Sequence, residues 1–550
     1  MAAIFTLSSK LFLLCALVTF NCEAQESNIQ AEYTMFNYPL LIGVSDIPVM
    51  RINLETKTEN NQKRDIQIIL NSTNANNINS VAVYYTQKDS LFNTENKVFT
   101  QLLPKEENEI NMMLSLPSGD NYFWVTYELK NDTELLTKFE ISAKNLIVDG
   151  NSISSDSKSE SPVLRAGLAL KQMGDNGVNT FRIPGLTTTK SGNLLAIYDV
   201  RYDSRRDLQG DIDIGLSRST DGGKSWEPMQ IILDKEKFNN LPEKFNGVSD
   251  ANILVDTNTG DIYVAGLWMH GVINSDGVWV DGLDENSEEW NHQWRNKGSQ
   301  PGFELKQTSQ FLLTKSTDDG KTWSEPRNLT TMLKKEEWWL SAPAPGHGIT
   351  LKDGTLVFPT QGRDKNGDSF SNITYSKDNG ETWESSNIAG NNTTESMVVE
   401  LPDGSLMLNM RDNLNRQRKG EDNGRYVAVS KDLGKTWTEH PSSNSALIEP
   451  VCMASLHKHT YRGLNQENKE ILFFSNPNSK DERIKHTIKV SFDNGLSWPE
   501  EYWMELDEGK GSGYSCITSL DASTLAILYE GSQAQMTFQL IDISHLVDKK

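Results

Sequence analysis

Five short segments of this chain share the form Ser-x-Asp-x-Gly-x-x-Trp: "STDGGKSW" (219–226), "STDDGKTW" (316–323), "SKDNGETW" (376–383), "SKDLGKTW" (430–437) and "SFDNGLSW" (491–498). Five copies restrict the chain to a repeat architecture. Each copy reads as a hairpin. An alternating strand such as "DIDIGLSR" or "NGRYVAVS" leads in, with apolar residues at every second place. Asp then bonds local backbone amides, and Gly supplies the positive φ that a tight turn needs. The Trp is expected to pack back over the turn into its own sheet, so the motif is a structural staple rather than a catalytic one.

The last four copies are spaced by 54 to 61 residues, enough for one four-stranded sheet each. A second signal gives the repeat number. Turn-like starts precede short strands at "SGNLLAIYDVR", "TGDIYVAGLW", "DGTLVFPTQGR", "DGSLMLNMRD", "NKEILFFSNP" and "DASTLAILYEG", which makes six. Six small antiparallel sheets without helical periodicity predict an all-β chain, a six-bladed β-propeller over 163–550. Repeats of this length exceed β-helix coils, and a sandwich is the other alternative. The first two copies are 97 residues apart, and the polar segment "VINSDGVWVDGLDENSEEWNHQWRNKGSQPGFEL" (272–305) between them is expected to be a long loop over one face. Its "DENSEE" run reads as solvated charge.

Residues 25–150 hold no copy of the motif but contain the strands "DIQIILN", "SVAVYYTQ" and "NYFWVTYEL", which predict a smaller N-terminal β-sandwich. A glycan-binding module and an inert spacer are both open for it. A Ser- and Asp-rich stretch, 151–162, reads as a linker. At the N-terminus, Lys10, the apolar run "LFLLCALVTF" and the small residues before Gln25 predict a secretory signal over 1–24, and hence an exported protein: periplasmic, secreted or associated with the cell surface. No later run is long and apolar enough to be a transmembrane helix. Outside that signal only Cys452 and Cys516 remain, either bridged or as buried thiols, and no Cys/His spacing suggests a metal site. His457 with His459, and His347 in "PAPGHGITL", read as structural.

The formal net charge is -22, and no basic stripe suggests nucleic-acid binding. Yet "TFRIPGLTTTKSGNLLAIYDVRYDSRRD" (180–207) gathers Arg182, Arg201, Arg205 and Arg206 beside apolar strands. Such clustering points to an anionic ligand or to buried ion pairs.

The hairpin repeat together with "FRIP", the Glu of "TESMVVELPDGSLMLNMR", "GYSC" and "LYE", in that order, resembles the exo-α-sialidases, particularly secreted bacterial ones. The resemblance spans about residues 163 to 547. Residues 25–150 resemble the β-sandwich that some of those enzymes carry ahead of the propeller. What it implies is a glycoside hydrolase that releases terminal α-linked sialic acid with retention and without a cofactor or metal. Its substrates would be sialylated glycoproteins, glycolipids or oligosaccharides. The alternatives it leaves are a trans-sialidase, an intramolecular sialidase and, more remotely, a non-catalytic sialic-acid-binding lectin.

The resemblance implies that Arg182, Arg411 and Arg483 clamp the substrate carboxylate. It makes Tyr514 the nucleophile, Glu395 its partner base and Asp207 the acid/base, with Asp203 and Asp211 close by as alternatives. Glu530 would orient Arg182, and Arg201 and Asp250 would contact other substituents of the sugar. These residue types suit that chemistry. A guanidinium pairs with a carboxylate through two parallel charge-assisted bonds. The anomeric carbon of sialic acid carries a carboxylate, so a neutral tyrosine avoids the repulsion that an anionic nucleophile would meet. A general acid must be protonated, so Asp207 is expected to have a raised pKa. Arg205, Arg206, Arg416, Arg418 and Lys419 read as loop charges.

Overall fold

The turn motif does more than reverse the chain. In the computed structural model, which describes residues 29–57, 62–154, 161–207, 210–236, 246–270, 299–305, 307–462 and 468–548, each copy closes the same hydrogen-bonded knot. In the third copy Ser376 Oγ donates to Asp378 Oδ1 at 2.8 Å and accepts from Gly380 N at 2.9 Å. The same Asp378 accepts from Thr382 N at 2.9 Å and from Thr382 Oγ1 at 2.5 Å. Gly380 has φ 81°, and a Cβ there would lie 2.5 Å from the Tyr263 ring. The tryptophans differ from expectation. Trp383 is buried against Tyr263 of the preceding sheet as well as Phe358 of its own, and Trp226 packs on Phe538, far along the chain. The motif's indole fills the wedge between neighbouring sheets, because a fan of radial sheets leaves its widest gap at the outer turns.

The described residues form six four-stranded antiparallel blades. Blade one is Thr180–Thr188, Leu194–Arg201, Ile212–Ser219 and Gln230–Leu233. Blade two is Asn246–Val255, Ile262–His270, Gln310–Ser316 and Arg327–Asn328. Blade three is Leu340–Pro343 with Ile349–Thr350, then Leu356–Arg363, Ser369–Ser376 and Glu384–Ser385. Blade four is Thr393–Glu400, Leu406–Asp412, Tyr426–Ser430 and Thr438–Glu439. Blade five is Ser455–Arg462, Asn468–Pro477, His486–Ser491 and Met504–Asp507.

Blade six takes three strands from the C-terminal end, Ser515–Ser519, Thr524–Tyr529 and Met536–Asp542, and its fourth, Val163–Lys171, from the other end of the propeller segment. That closure explains why there are five motif copies and six blades. The motif joins a third strand to a fourth, and in blade six the fourth strand needs no turn. First strands of successive blades pack around the axis, and that of blade one closes on that of blade six. Blades are covered on both faces, so Leu194–Arg201 is buried at every position, and its first five residues form an unbroken apolar run.

Ahead of the propeller, Ile29–Met35, Ile47–Thr56, Tyr122–Leu129, Ile78–Gln87 and Lys97–Leu102 form one sheet. It packs on a second sheet built from Lys63–Ser72, Glu107–Ser115 and Lys138–Val148. The segment expected as a linker is partly ordered. Asn151–Ser152 pairs back on Ile147 and Val148, and Ile153 is buried in the core of these sheets. The strand Val163–Lys171 then pairs first with Lys138–Glu140 and afterwards with Met536–Phe538 of blade six. One strand thus belongs to both halves, and its Leu164 and Ala166 share the core of the N-terminal sheets. Lys224 of blade one pairs with Glu134 at 2.9 Å, and Asn37 Nδ2 donates to Glu505 at 3.2 Å. Cys452 and Cys516 are buried free thiols. The segments 1–24 and 155–160 lie outside the described residues, as does most of 272–305. Among the described residues no helix is long and apolar enough to cross a membrane.

Candidate active site

Antiparallel strands alternate in direction. The starts of first strands, the ends of second strands and the second-to-third loops therefore open on one face of the propeller. The residues singled out from sequence occupy those places. Arg182, Asp250 and Glu395 lie near the starts of the first strands of blades one, two and four, and Tyr514 immediately precedes that of blade six. Arg201 ends a second strand, Arg411 is the last residue but one of another, and Glu530 follows a third. Asp207 and Arg483 sit in second-to-third loops of blades one and five. Three of the first strands are bulged where they reach this face: at Arg182–Gly185, Ser249–Asn252 and Thr393–Ser396. Ile183 (φ 61°) and Asp250 (φ 55°) are left-handed. Such backbone costs ~1–3 kcal/mol per residue and re-aims side chains where it persists.

The face carries a cleft of about 980 Å³. Arg182, Asp207, Asp250, Glu395, Arg411, Arg483 and Tyr514 all line it. At its centre the Tyr514 hydroxyl donates a hydrogen bond to Glu395 Oε1 and accepts one from Arg411 Nη1 at 2.9 Å. Arg411 Nη1 also reaches Glu395 Oε2 at 2.5 Å. The guanidinium carbons of Arg182 and Arg483 each stand 5.3 Å from the centre of the Tyr514 ring. Three arginines from three blades thus surround one phenol. Burial and the neighbouring Glu395 raise the Tyr514 pKa well above its ordinary value, against the opposing pull of Arg411 and Arg483. The resting group is a neutral phenol hydrogen-bonded to the Glu395 carboxyl group.

Two residues stand behind this wall rather than in it. Glu530 is 2 % exposed, and its carboxylate accepts from Arg182 Nε at 2.5 Å, Ile183 N at 2.9 Å and Tyr514 N at 3.0 Å. It ties the first strand of blade one to the tyrosine of blade six. Arg201 is buried, held by Asp199 Oδ2 at 2.8 Å, which also accepts from Ser249 Oγ at 2.6 Å. Arg201 does not line the cleft. It donates to Asp207 Oδ1 at 2.7 Å and so fixes that carboxylate from behind.

The pKa expectation for Asp207 is corrected. Burial pushes it up, but Arg201 and Arg182 outweigh that, with Arg483 adding to them, and the carboxyl is held below its usual range. Asp250 shows the opposite. Burial raises it well above the ordinary value, and Glu395, Asp199 and Asp207 add to the rise. Its nearest donor is Gln361 Nε2, 3.3 Å from Oδ2. The cleft also draws on residues that sequence reading left aside. Arg205, Arg206 and Arg416 line it rather than lying apart as loop charges, and blade three contributes Gln361 and Arg363. One signal was available for Arg363. It ends its second strand as Arg201 does and as Arg411 nearly does, in "TQGR", "YDVR" and "LNMRD". Arg418 and Lys419 do stay outside the wall, paired with Asp412 and Asp481.

Comparison with known proteins agrees with this architecture. The family description "BNR repeat-like domain" matches residues 183–503, and "N-terminal domain of BNR-repeat neuraminidase" matches residues 25–152. The chain is 40% identical to a sialidase of Bacteroides fragilis over 94% of its own length and 96% of that protein's. It is 32% identical to a sialidase of Clostridium perfringens over 64% of this chain and 86% of that one. Among solved structures, the Hadza microbial sialidase Hz136 superposes with a TM-score of 0.82 at 36% identity, covering 94% of this chain and all of the other. The chain belongs to the BNR-repeat neuraminidase family, the sialidases.

Proposed function

We propose that the protein is a retaining exo-α-sialidase that hydrolyses terminal sialic acid from glycoproteins, glycolipids or oligosaccharides. The observation that carries this reading is the Tyr514–Glu395–Arg411 contact inside a ring of three arginines. Arg182, Arg411 and Arg483 take the substrate carboxylate. Tyr514 Oη attacks the anomeric carbon, and its proton passes to Glu395. The bond to the glycosidic oxygen breaks as Asp207 supplies a proton to the leaving group. Water then attacks the glycosyl-tyrosine, giving its proton to Asp207, while Glu395 returns a proton to the departing phenol oxygen. Glu530 and Arg201 are positioning residues in this scheme, because each acts through a neighbour.

The low pKa of Asp207 fits the reading once substrate is considered. A bound carboxylate neutralises the charge of Arg182 and Arg483, which helps hold Asp207 ionised in the free cleft. One observation favours a second assignment of the proton donor: Asp250 is the carboxyl whose pKa is raised. Asp207→Asn and Asp250→Asn separate the two. The true donor's variant loses far more activity on sugar leaving groups than on activated aryl sialosides, which need no protonation.

The nucleophile is tested with a fluorinated sialosyl donor. The expected adduct lies on the peptide "GSGYSCITSL", disappears in Tyr514→Phe, and accompanies an α-anomeric first product. A β-anomeric first product, or an adduct elsewhere, would falsify the mechanism. The apolar run "LFLLCALVTF" after Lys10 supports export of the mature chain. The strand shared by sandwich and propeller supports a role for residues 25–150 as a brace of the catalytic unit.

A further inference from the structure

The cleft carries more positive charge than one carboxylate requires. Seven arginines line it against four acidic residues, Asp207, Asp250, Asp368 and Glu395, in a chain of net charge -22. The clamp proposed above uses three of them. Position decides what the others meet. Arg205 and Arg206 immediately precede Asp207 in the loop after Leu194–Arg201, and both are exposed and line the cleft. That loop is pinned from beneath. One nitrogen, Arg201 Nη1, donates to Arg205 O at 3.0 Å and to Asp207 Oδ1 at 2.7 Å. Arg201 is itself 1% exposed and anchored on Asp199. A single buried guanidinium therefore sets the spacing between the backbone of Arg205 and the carboxylate of Asp207.

The next step rests on the reading of Asp207 as the acid/base. A proton donor has to reach the glycosidic oxygen, and beyond that oxygen lies the leaving group. Cations one and two residues away on the same pinned loop flank the leaving sugar, while the sialic carboxylate is met by arginines of other strands and loops. We infer that Arg205 and Arg206 form a leaving-group subsite for a second anion, a carboxylate or a sulfate ester borne by the sugar that carries the glycosidic oxygen. Forked guanidinium donors match both groups. The volume allows it. The cleft, at about 980 Å³, lies at the upper end of the ~300–1,000 Å³ usual for small-ligand sites, and so has room beyond one sugar.

The test uses the full chain at low ionic strength and three substrates. These are sialyllactose, a disialyl-lactose in which one sialic acid is linked to another, and a sialyl-lactosamine sulfated on the sugar next to the sialic acid. Each anionic substrate is compared with sialyllactose as a ratio of kcat/KM. All three leaving groups are sugar hydroxyls, so the ratio cancels any change in Asp207 itself. The wild-type ratio is expected to exceed one and to fall with added salt. The double variant Arg205→Gln, Arg206→Gln is expected to lower it about tenfold, the worth of one charge-assisted hydrogen bond. A response to the disialyl substrate alone makes the anion a second sialic acid, and a response to the sulfated one alone makes it a sulfate ester. A wild-type ratio of one or less, or a ratio that neither salt nor the variants change, overturns the subsite and leaves the sialidase reading intact. Failure to cleave any sialoside overturns the reading beneath it. If the double variant does not fold, the single variants and the salt dependence of the wild type decide.

Discussion

Glu530→Gln isolates the contribution of one buried carboxylate. Its two oxygens serve three donors: Arg182 Nε and Ile183 N on Oε1, and Tyr514 N on Oε2. A glutamine keeps one acceptor oxygen and gains an NH₂ group. With its oxygen in the Oε1 position it keeps two bonds, but its NH₂ then faces the Tyr514 N–H donor to donor. The flipped amide loses two bonds instead, so the first orientation prevails. Leaving one buried N–H unpaired costs ~1–3 kcal/mol, and replacing a charge-assisted bond to Arg182 by a neutral one costs about 1 kcal/mol more. The sum is about 2–4 kcal/mol. Thermal unfolding should show a drop of several degrees, and kcat/KM on sialyllactose should fall ~10–100-fold as Arg182 and Tyr514 lose their common anchor. Glu227→Gln is the matched control. Glu227 pairs with Arg218 at 2.7 Å, but its side chain is 52% exposed, and it should change neither quantity measurably. If Glu530→Gln kept wild-type kcat/KM, Glu530 would not position the clamp.

Trp383→Ala should cost ~3–5 kcal/mol, because the indole is buried between two blades. Trp437→Ala should cost only ~1–2 kcal/mol by the same melting assay, since that ring is half-buried; equal losses would contradict the packing account. His486 is buried beside Tyr529 and Lys489 with both ring nitrogens unpartnered, and burial pushes its pKa down to about 3. The unfolded chain takes a proton on this ring below about pH 6.5 and the folded one does not until far lower, so stability falls as pH drops through that window. His486→Phe should therefore reduce the loss between pH 6.5 and 5 by about 2 kcal/mol, read from unfolding at the two pH values; an unchanged pH slope would show that His486 is protonated in the fold. Truncation through residue 160 should leave a propeller that closes but is less stable, with Leu164 and Ala166 uncovered. Truncation through residue 171 removes the fourth strand of blade six and should abolish folding, as judged by cooperative melting and activity.

The contrast between those two truncations shows what sequence patterns report. A turn is local, so the Ser-Asp-Gly-Trp knot can be recognised wherever it occurs, and its spacing measures one blade. The shared strand leaves no such mark. "VLRAGLALK" pairs with partners about 25 residues before it and about 370 after it, and nothing in its own residues names either. For the same reason the stretch before it reads as a linker, although Ile153 belongs to a core.

The candidate site divides in the same way. Motifs shared with the sialidases marked Arg182, Glu395, Arg411, Tyr514 and Glu530, and the structure brings these together within hydrogen-bonding or ring-contact distance. The sequence by itself therefore determined the blade and the number of blades, and its resemblance to a family pointed to the residues that gather in the cleft. Only the tertiary structure decided which arginines face the cleft and which stand behind it. It set the pKa of Asp207 against that of Asp250, and it placed the exposed Arg205 and Arg206 on the cleft wall beside Asp207. The physical reason is that strand and turn propensities act over a few residues. The electric field at a carboxylate is instead the sum of charges that meet through space, here from blades one, four and five around one axis.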